Sequence, residues 1–184
     1  MKTALAVILF AVSTVTQDPS AIEAAEAACG PYNLEFRIKI DNSQHPLIQP
    51  DPSKAVVYVS LDQRFQAIRA VTARIGIDGA WVGANRGNSY LFFSAAPGEH
   101  HLCTDWMSDL LPGGRLVSVA NFTAEAGKVY YFRVRTSGGP SSYLKDSGRS
   151  ASIDLEPVNS DEGKLLVASS VWSNSQPKRQ QASK

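Results

Sequence analysis

Three turn-forming dipeptides, Asp78-Gly79, Gly87-Asn88 and Pro97-Gly98, cut the stretch from Val71 to Asp105 into short strand-like runs. The spacing predicts a β-meander of three consecutive hairpins, with the remaining strands as its partners. Asp-Gly is the strongest short-range hairpin signal, because a type I′ turn needs φ > 0 at both central residues. With Asp78 and Gly79 as the loop, Ile77 faces Ala80, Ile75 faces Val82 and Ala73 faces Ala84, so one face is wholly apolar and buried. On the other face Gly76 meets Trp81 and Arg74 meets Gly83, the indole covering glycine backbone that has no side chain of its own.

The flanking segments continue the strand pattern. Leu34 to Ile40 alternates apolar and charged residues, with Glu35, Arg37 and Lys39 outward. Lys54 to Leu61 is a nearly continuous β-branched run, which suits a central strand covered on both faces. Arg115 to Thr123, Lys128 to Arg135 and Ser150 to Val158 read as further strands. In the second of these Tyr130, Phe132 and Val134 take one face and Tyr131, Arg133 and Arg135 the other. Asp41 to Ser53, with Pro46, Pro50 and Pro52, is an irregular crossing loop; Gln63 to Ala70, Met107 to Gly114 and the Gly/Ser-rich Thr136 to Arg149 are links. One helix signal remains: Asn159 as cap, Asp161 and Glu162 in the first turn, then Leu165, Leu166 and Ala168 to lie against a sheet. The class is all-β, an antiparallel β-sandwich of about eight short strands with one short C-terminal helix, an Ig-like or open-barrel arrangement being the alternative.

A chain of 184 residues makes one domain with a sizeable core. Lys2 followed by the apolar run Ala4 to Val15 has the form of a secretory signal peptide, too short to span a bilayer. Small residues allow cleavage at Ala11-Val12-Ser13, Thr14-Val15-Thr16 or Ala25-Glu26-Ala27. The predicted division is residues 1–28 as signal peptide and lead-in, 29–172 as a single β-sandwich domain, and 173–184 as a disordered polar tail. That predicts a protein outside the cytoplasm, in the periplasm or at the cell surface, with no later transmembrane segment. Cys29 and Cys103 are the two cysteines. In an oxidising compartment an even count favours a Cys29–Cys103 disulfide, two free thiols being the alternative. A lipid anchor at Cys29 is disfavoured, because Glu26 stands where a lipobox wants an aliphatic residue. A net charge of +1 with scattered Lys and Arg speaks against nucleic acid as a partner.

Ile77-Asp78-Gly79-Ala80-Trp81-Val82-Gly83, the run Tyr90-Leu91-Phe92-Phe93, Ala96-Pro97-Gly98-Glu99-His100 and Glu125-Ala126-Gly127-Lys128-Val129-Tyr130-Tyr131-Phe132-Arg133 together resemble the bacterial family called domain of unknown function 2846. The likeness covers roughly Lys54 to Arg135. The same order is similar to carbohydrate- or surface-associated domains carrying a Pro-Glu-Gly-Ala motif. The resemblance implies an exported or lipid-anchored envelope protein of all-β type and carries over no activity. It leaves Cys103 and the His100-His101 doublet unexplained.

Three chemistries are open to these residues. A metal- or redox-linked site would centre on His101 and Cys103, which share a strand face, with Cys29 and His45 or Asp105 completing a zinc set. Catalysis has little support: no glycine-framed nucleophile is present, and Asp105/Asp109 and Asp161/Glu162 fit solvation or capping, so no catalytic residue and no cofactor are assigned. A ligand-binding face is the better-motivated reading, with Trp81 and Arg74 outward on the hairpin and Tyr131, Arg133 and Arg135 along the same side. Rings interleaved with guanidinium groups hold sugars or acidic polymers by stacking and charge-assisted hydrogen bonds. The competing expectation is that the helix or the Pro-rich loop covers Trp81. The expected function is an exported, non-catalytic envelope module that contacts a protein or glycan partner.

Overall fold

In a computed structural model of the chain, the described residues are 27, 29–31, 34–63, 71–107, 116–137 and 152–178. They contain β1 (Phe36–Asp41), β2 (Ala55–Leu61), β3 (Thr72–Ile77), β4 (Ala80–Arg86), β5 (Ser89–Ala95), β6 (Gly98–Trp106), β7 (Val117–Ala124), β8 (Val129–Ser137), β9 (Ser152–Val158), the helix α1 (Ser160–Ala168) and β10 (Val171–Pro177). The strands form a six-stranded sheet, ordered β1-β10-β5-β2-β8-β9, and a four-stranded sheet, ordered β4-β3-β6-β7. The architecture is the expected all-β sandwich. Most pairings are antiparallel; β10 with β5 and β2 with β8 are parallel.

Between the sheets lies one apolar core. The larger sheet contributes Ala55, Val57, Val59, Leu61, Leu91, Phe132, Val134, Ile153 and Leu155, the smaller one Ala73, Ile75, Leu102, Trp106 and Ala124. Period-two alternation on each strand supplies these residues. β2 is buried along its whole length, since Val56 and Tyr58 on its outer face lie in a second apolar cluster. Open strand edges invite pairing with other chains, and serine hydroxyls close them here. Ser173 donates to the Ala84 carbonyl at 2.7 Å, Ser175 accepts from the Ala84 amide at 2.9 Å, and Ser118 accepts from the Leu155 amide at 3.1 Å. Both edges of the smaller sheet are thereby tied to the larger one.

Four expectations change. First, the stretch 71–105 is one hairpin, not three: β3 and β4 pair, but β5 crosses to the larger sheet before β6 returns to pair with β3. Tyr90, Leu91, Phe92 and Phe93 put bulky apolar groups on both faces of β5, and only the larger sheet covers both. Second, the hairpin register holds at Ile77–Ala80 and Gly76–Trp81, then shifts. Ile75 pairs Gly83, Arg74 pairs Ala84 and Ala73 pairs Asn85, with Val82 as an extra, exposed residue. A bulge of this kind reverses the faces of all that follows in the strand. Ala84 thus turns outward, and Asn85 points into the core, where its side-chain amide donates to the Val59 carbonyl at 2.9 Å. Third, residues 173–177 of the expected tail are strand, because β10 is hydrogen-bonded between β1 and β5. Fourth, α1 buries Gly163, Leu166 and Val167, leaving Leu165 and Ala168 outward. Its start is as read: the Asn159 side chain accepts from the amides of Asp161 and Glu162. The leader, the links 64–70, 108–115 and 138–151, and residues 179–184 lie outside the described residues, apart from Ala27.

Gly163 fixes how closely α1 approaches the sheet. A Cβ there would overlap Cγ and Cβ of Tyr131, and the Cβ is one that no rotamer change moves. Gly163→Ala would raise helix propensity by about 1 kcal/mol on an exposed helix. Here it is expected to destabilise by about 1–3 kcal/mol through overpacking, and Tyr131→Ala in the same chain, which keeps the Cβ that the new methyl meets, should leave most of the loss in place. Urea denaturation of the two variants checks this; a stabilised Gly163→Ala single variant would contradict the packing.

Candidate functional site

Trp81 and Arg74 do share the outer face of the smaller sheet, as the sequence suggests, but that face is covered. Both are nearly buried, at 8% and 5% exposure. Cross-strand neighbours build the arrangement. Cys103, Gly76 and Trp81 form one row across β6, β3 and β4, and Asp105, Arg74 and Ala84 form the next. A Cβ on Gly76 would meet both the Cys29 carbonyl, at 2.6 Å, and the Trp81 ring, at 3.0 Å, so the bare backbone is what lets ring and chain pack there. The Arg74 guanidinium sits 4.5 Å from the Trp81 ring centroid, ion-pairs with Asp105 and donates to the Leu34 carbonyl at 2.8 Å. Trp81 donates its indole N–H to the Pro31 carbonyl at 2.8 Å.

The cover is neither the helix nor the Pro-rich loop. It is the segment ahead of β1, held by a disulfide between Cys29 and Cys103 that joins positions 74 residues apart. Leu34, Phe36 and Ile38 extend it as an apolar layer against Trp81, Ala84 and Cys103. A sulfur in a disulfide carries neither a thioether lipid nor a metal as thiolate. The anchor at Cys29 and the His101/Cys103 metal reading therefore lose their sulfur.

Tyr131, Arg133 and Arg135 lie on the outer face of the larger sheet, on the opposite side of the sandwich, so the structure does not bring them to Trp81 and Arg74. Arg133 is clamped by Glu156 at 2.6 Å and by Glu162 of α1, and Arg135 reaches Glu156 at 3.3 Å. Tyr131 stacks on Tyr58 with centroids 5.4 Å apart, and burial of the phenol raises its pKa. This face holds aromatic residues that the sequence reading did not single out. Phe92, Tyr58 and Tyr131 are in register across β5, β2 and β8; Trp172 and Tyr90 are neighbours in the adjoining row. The i, i+2 spacing of Tyr90 and Phe92 was their only local signal.

Part of that aromatic face is roofed over. The loop before β2 brings the Ile48 amide to the Tyr58 hydroxyl at 2.8 Å and the Pro46 carbonyl to the Tyr90 hydroxyl at 3.4 Å. Burial pushes the Tyr90 pKa up to about 12, with Tyr58 adding to the shift, so this hydroxyl keeps its proton to donate. α1 covers the other part through Gly163 and Val167. Phe92, Tyr131 and Trp172 stay half-buried, and the roof itself exposes Leu47, Ile48 and Leu165.

The histidine doublet is a polar clasp at the hairpin end. His100 Nδ1 lies 2.6 Å from Asp78 Oδ2 and Nε2 lies 2.7 Å from the Ala96 carbonyl, and both are acceptors. Only the imidazolium donates from both nitrogens. Burial alone would lower the His100 pKa, but the Ala96 carbonyl and the Asp78 carboxylate outweigh it, and the net direction is upward. For Asp78 burial is likewise outweighed, by the His101 amide and His100, and its pKa falls. His100 thus contributes stability that is whole below 6.5 and lost as pH rises through its folded pKa; Asp78 contributes stability present above 3.8 and lost as pH falls through its own. Wild type is expected to lose stability on the alkaline side of this window and His100→Gln to lose that dependence. Thermal melts of both from pH 5 to 9 (about the range where histidine titrates) decide it, and parallel curves would contradict the clasp. His101 turns outward, its Nδ1 2.7 Å from Asn121 Oδ1.

The family described as Protein of unknown function (DUF2846) matches residues 51–148. The chain belongs to this family. No curated protein and no solved structure matches it. In this DUF2846 chain the matched span holds Arg74, Trp81, the histidine clasp, Cys103 and Tyr131 to Arg135. The covers of both outer faces, residues 29–31 and 34–36, the loop at 42–50 and α1, lie outside that span. Among the described residues, no helix is long and apolar enough to cross a membrane and no group of three or more His, Cys, Asp or Glu is placed to hold a metal ion.

Proposed function

We propose that this DUF2846 chain is an exported, non-catalytic module of the bacterial envelope that binds a partner protein through the outer face of its six-stranded sheet. The disulfide supports export, since such bonds persist in oxidising compartments. The observation that carries the binding reading is the distribution of exposed apolar side chains. Leu47 at 72%, Ile48 at 43% and Leu165 at 60% exposure all belong to the two elements lying on this face, beside half-buried Phe92 and Trp172. Exposed apolar side chains gathered on one face among charged ones, here Lys164, Arg135 and Glu156, are the usual mark of a protein contact.

A photo-crosslinking residue at Leu47 or at Leu165, expressed in bacteria, tests it. Both positions are expected to yield one and the same adduct, and Val119 on the opposite outer face none. No adduct, or the same adduct from Val119, would refute the assignment. A second reading, a glycan ligand, draws on the nearly parallel Phe92 and Trp172 rings, whose planes differ by 15°; it requires Trp172→Ala to abolish retention on a polysaccharide affinity gel.

A further inference from the structure

On the other side of the sandwich the cover over the smaller sheet does not close completely. Where Phe36 and Ile38 of β1 pass the start of β3 and the ends of β4 and β6, a groove of about 190 Å³ remains, lined among the described residues by Phe36, Ile38, Thr72, Arg86 and Met107. Phe36, Ile38 and Met107 supply its apolar walls. Thr72 and Arg86 are cross-strand partners, so the hydroxyl and the guanidinium stand together at one end. The Arg86 amide donates to Ser89 Oγ at 3.0 Å, which fixes the strand end that carries the guanidinium.

We propose that this groove binds a small aliphatic carboxylate, its alkyl part between Phe36, Ile38 and Met107 and its carboxylate on Arg86 with Thr72 as a second donor. Charge selects the head group. Arg74, Arg133 and Arg135 each face a carboxylate of the chain, whereas Arg86 is exposed and has none at ion-pair distance among the described residues. A guanidinium fork matches a carboxylate with two parallel hydrogen bonds. Volume selects the tail: sites for drug-sized ligands run from roughly 300 to 1,000 Å³, so this one accepts a short alkyl chain or a single apolar side chain. Two sources share that chemistry, a free fatty acid and the C-terminal residue of a peptide. This surface is separate from the one proposed for protein binding, and neither depends on the other.

The test is a titration of the oxidised, folded protein followed by amide NMR shifts. The probes are sodium octanoate, n-octanol, and a tripeptide ending in leucine with a free or an amidated C-terminus. Saturable shifts centred on Ile38, Thr72, Arg86 and Met107 are expected with octanoate, with the free-acid peptide, or with both, and which of them responds identifies the source. Arg86→Gln, a change in an exposed side chain, is expected to weaken that binding roughly tenfold and to leave the weak shifts with octanol unchanged. The proposal is overturned if neither carboxylate gives saturable shifts there. It is equally overturned if octanol and the amidated peptide bind as well as the acids, or if Arg86→Gln binds as wild type does.

Discussion

Asp105→Ala is expected to cost about 3–5 kcal/mol, a large part of the stability of a domain this size. The Arg74 and Asp105 side chains are 6% and 2% exposed, and Arg74 is held against the Trp81 ring under the N-terminal segment. Removing the carboxylate leaves a buried guanidinium without that counter-charge. The pair and the single change should differ in kind. Arg74→Met together with Asp105→Leu removes both charges at similar volume and is expected to fall within about 1–2 kcal/mol of wild type. Urea denaturation of the three proteins gives the comparison. A loss below about 1 kcal/mol for Asp105→Ala would mean that water reaches the pair and that the face is open.

Loss of the disulfide is the second large effect. A bridge across 74 residues of sequence is worth about 4 kcal/mol in the chain-entropy account, within the 2–5 kcal/mol usual for small exported domains. The consequence here is also local. Cys29 anchors the segment whose Pro31 and Leu34 carbonyls receive Trp81 and Arg74, and whose own backbone rests on Gly76. Cys29→Ser with Cys103→Ser should therefore lower stability by that amount and open the Trp81 face. Intact mass supplies the control, since the oxidised protein must gain two hydrogen atoms on reduction. A double serine variant with wild-type stability would remove the bridge from the account.

The parts of this fold legible in the sequence were those set by local chemistry. Asp78-Gly79 placed a turn, Asn159 capped a helix, and the unbroken β-branched run from Ala55 to Leu61 announced a strand covered on both faces. Gly76 opposite Trp81 was readable for the same reason, each residue being the other's explanation. What failed to show was whatever depended on distant residues. Val82, Gly83, Ala84 and Asn85 are small enough to accept either register, and the hydroxyls of Ser173 and Ser175 that meet Ala84 come from the far end of the chain. Residues 173–177 of β10, Ser-Asn-Ser-Gln-Pro, look like a tail because they are polar, yet the hydroxyls of Ser173 and Ser175 point at another sheet's edge. The candidate binding face divided for a similar reason. Alternation correctly put Trp81 and Arg74 outward from one sheet and Tyr131, Arg133 and Arg135 outward from another, but alternation does not say which sheet a strand joins. Of the residues over Trp81, those ahead of Leu34 carry no periodic signal, and Cys29 is their one clue.

The central claim is that the chain covers Trp81 and Arg74 on one outer face with its own disulfide-held segment and presents its exposed apolar side chains to a partner on the other. Fluorotryptophan NMR with a soluble paramagnetic probe tests it most directly, because the three indoles report on three places. In the oxidised protein the Trp81 and Trp106 signals should be protected and the Trp172 signal broadened, and reduction should expose Trp81 while leaving Trp106 protected. A Trp81 signal already broadened before reduction, or a Trp172 signal as protected as that of Trp106, would contradict the account.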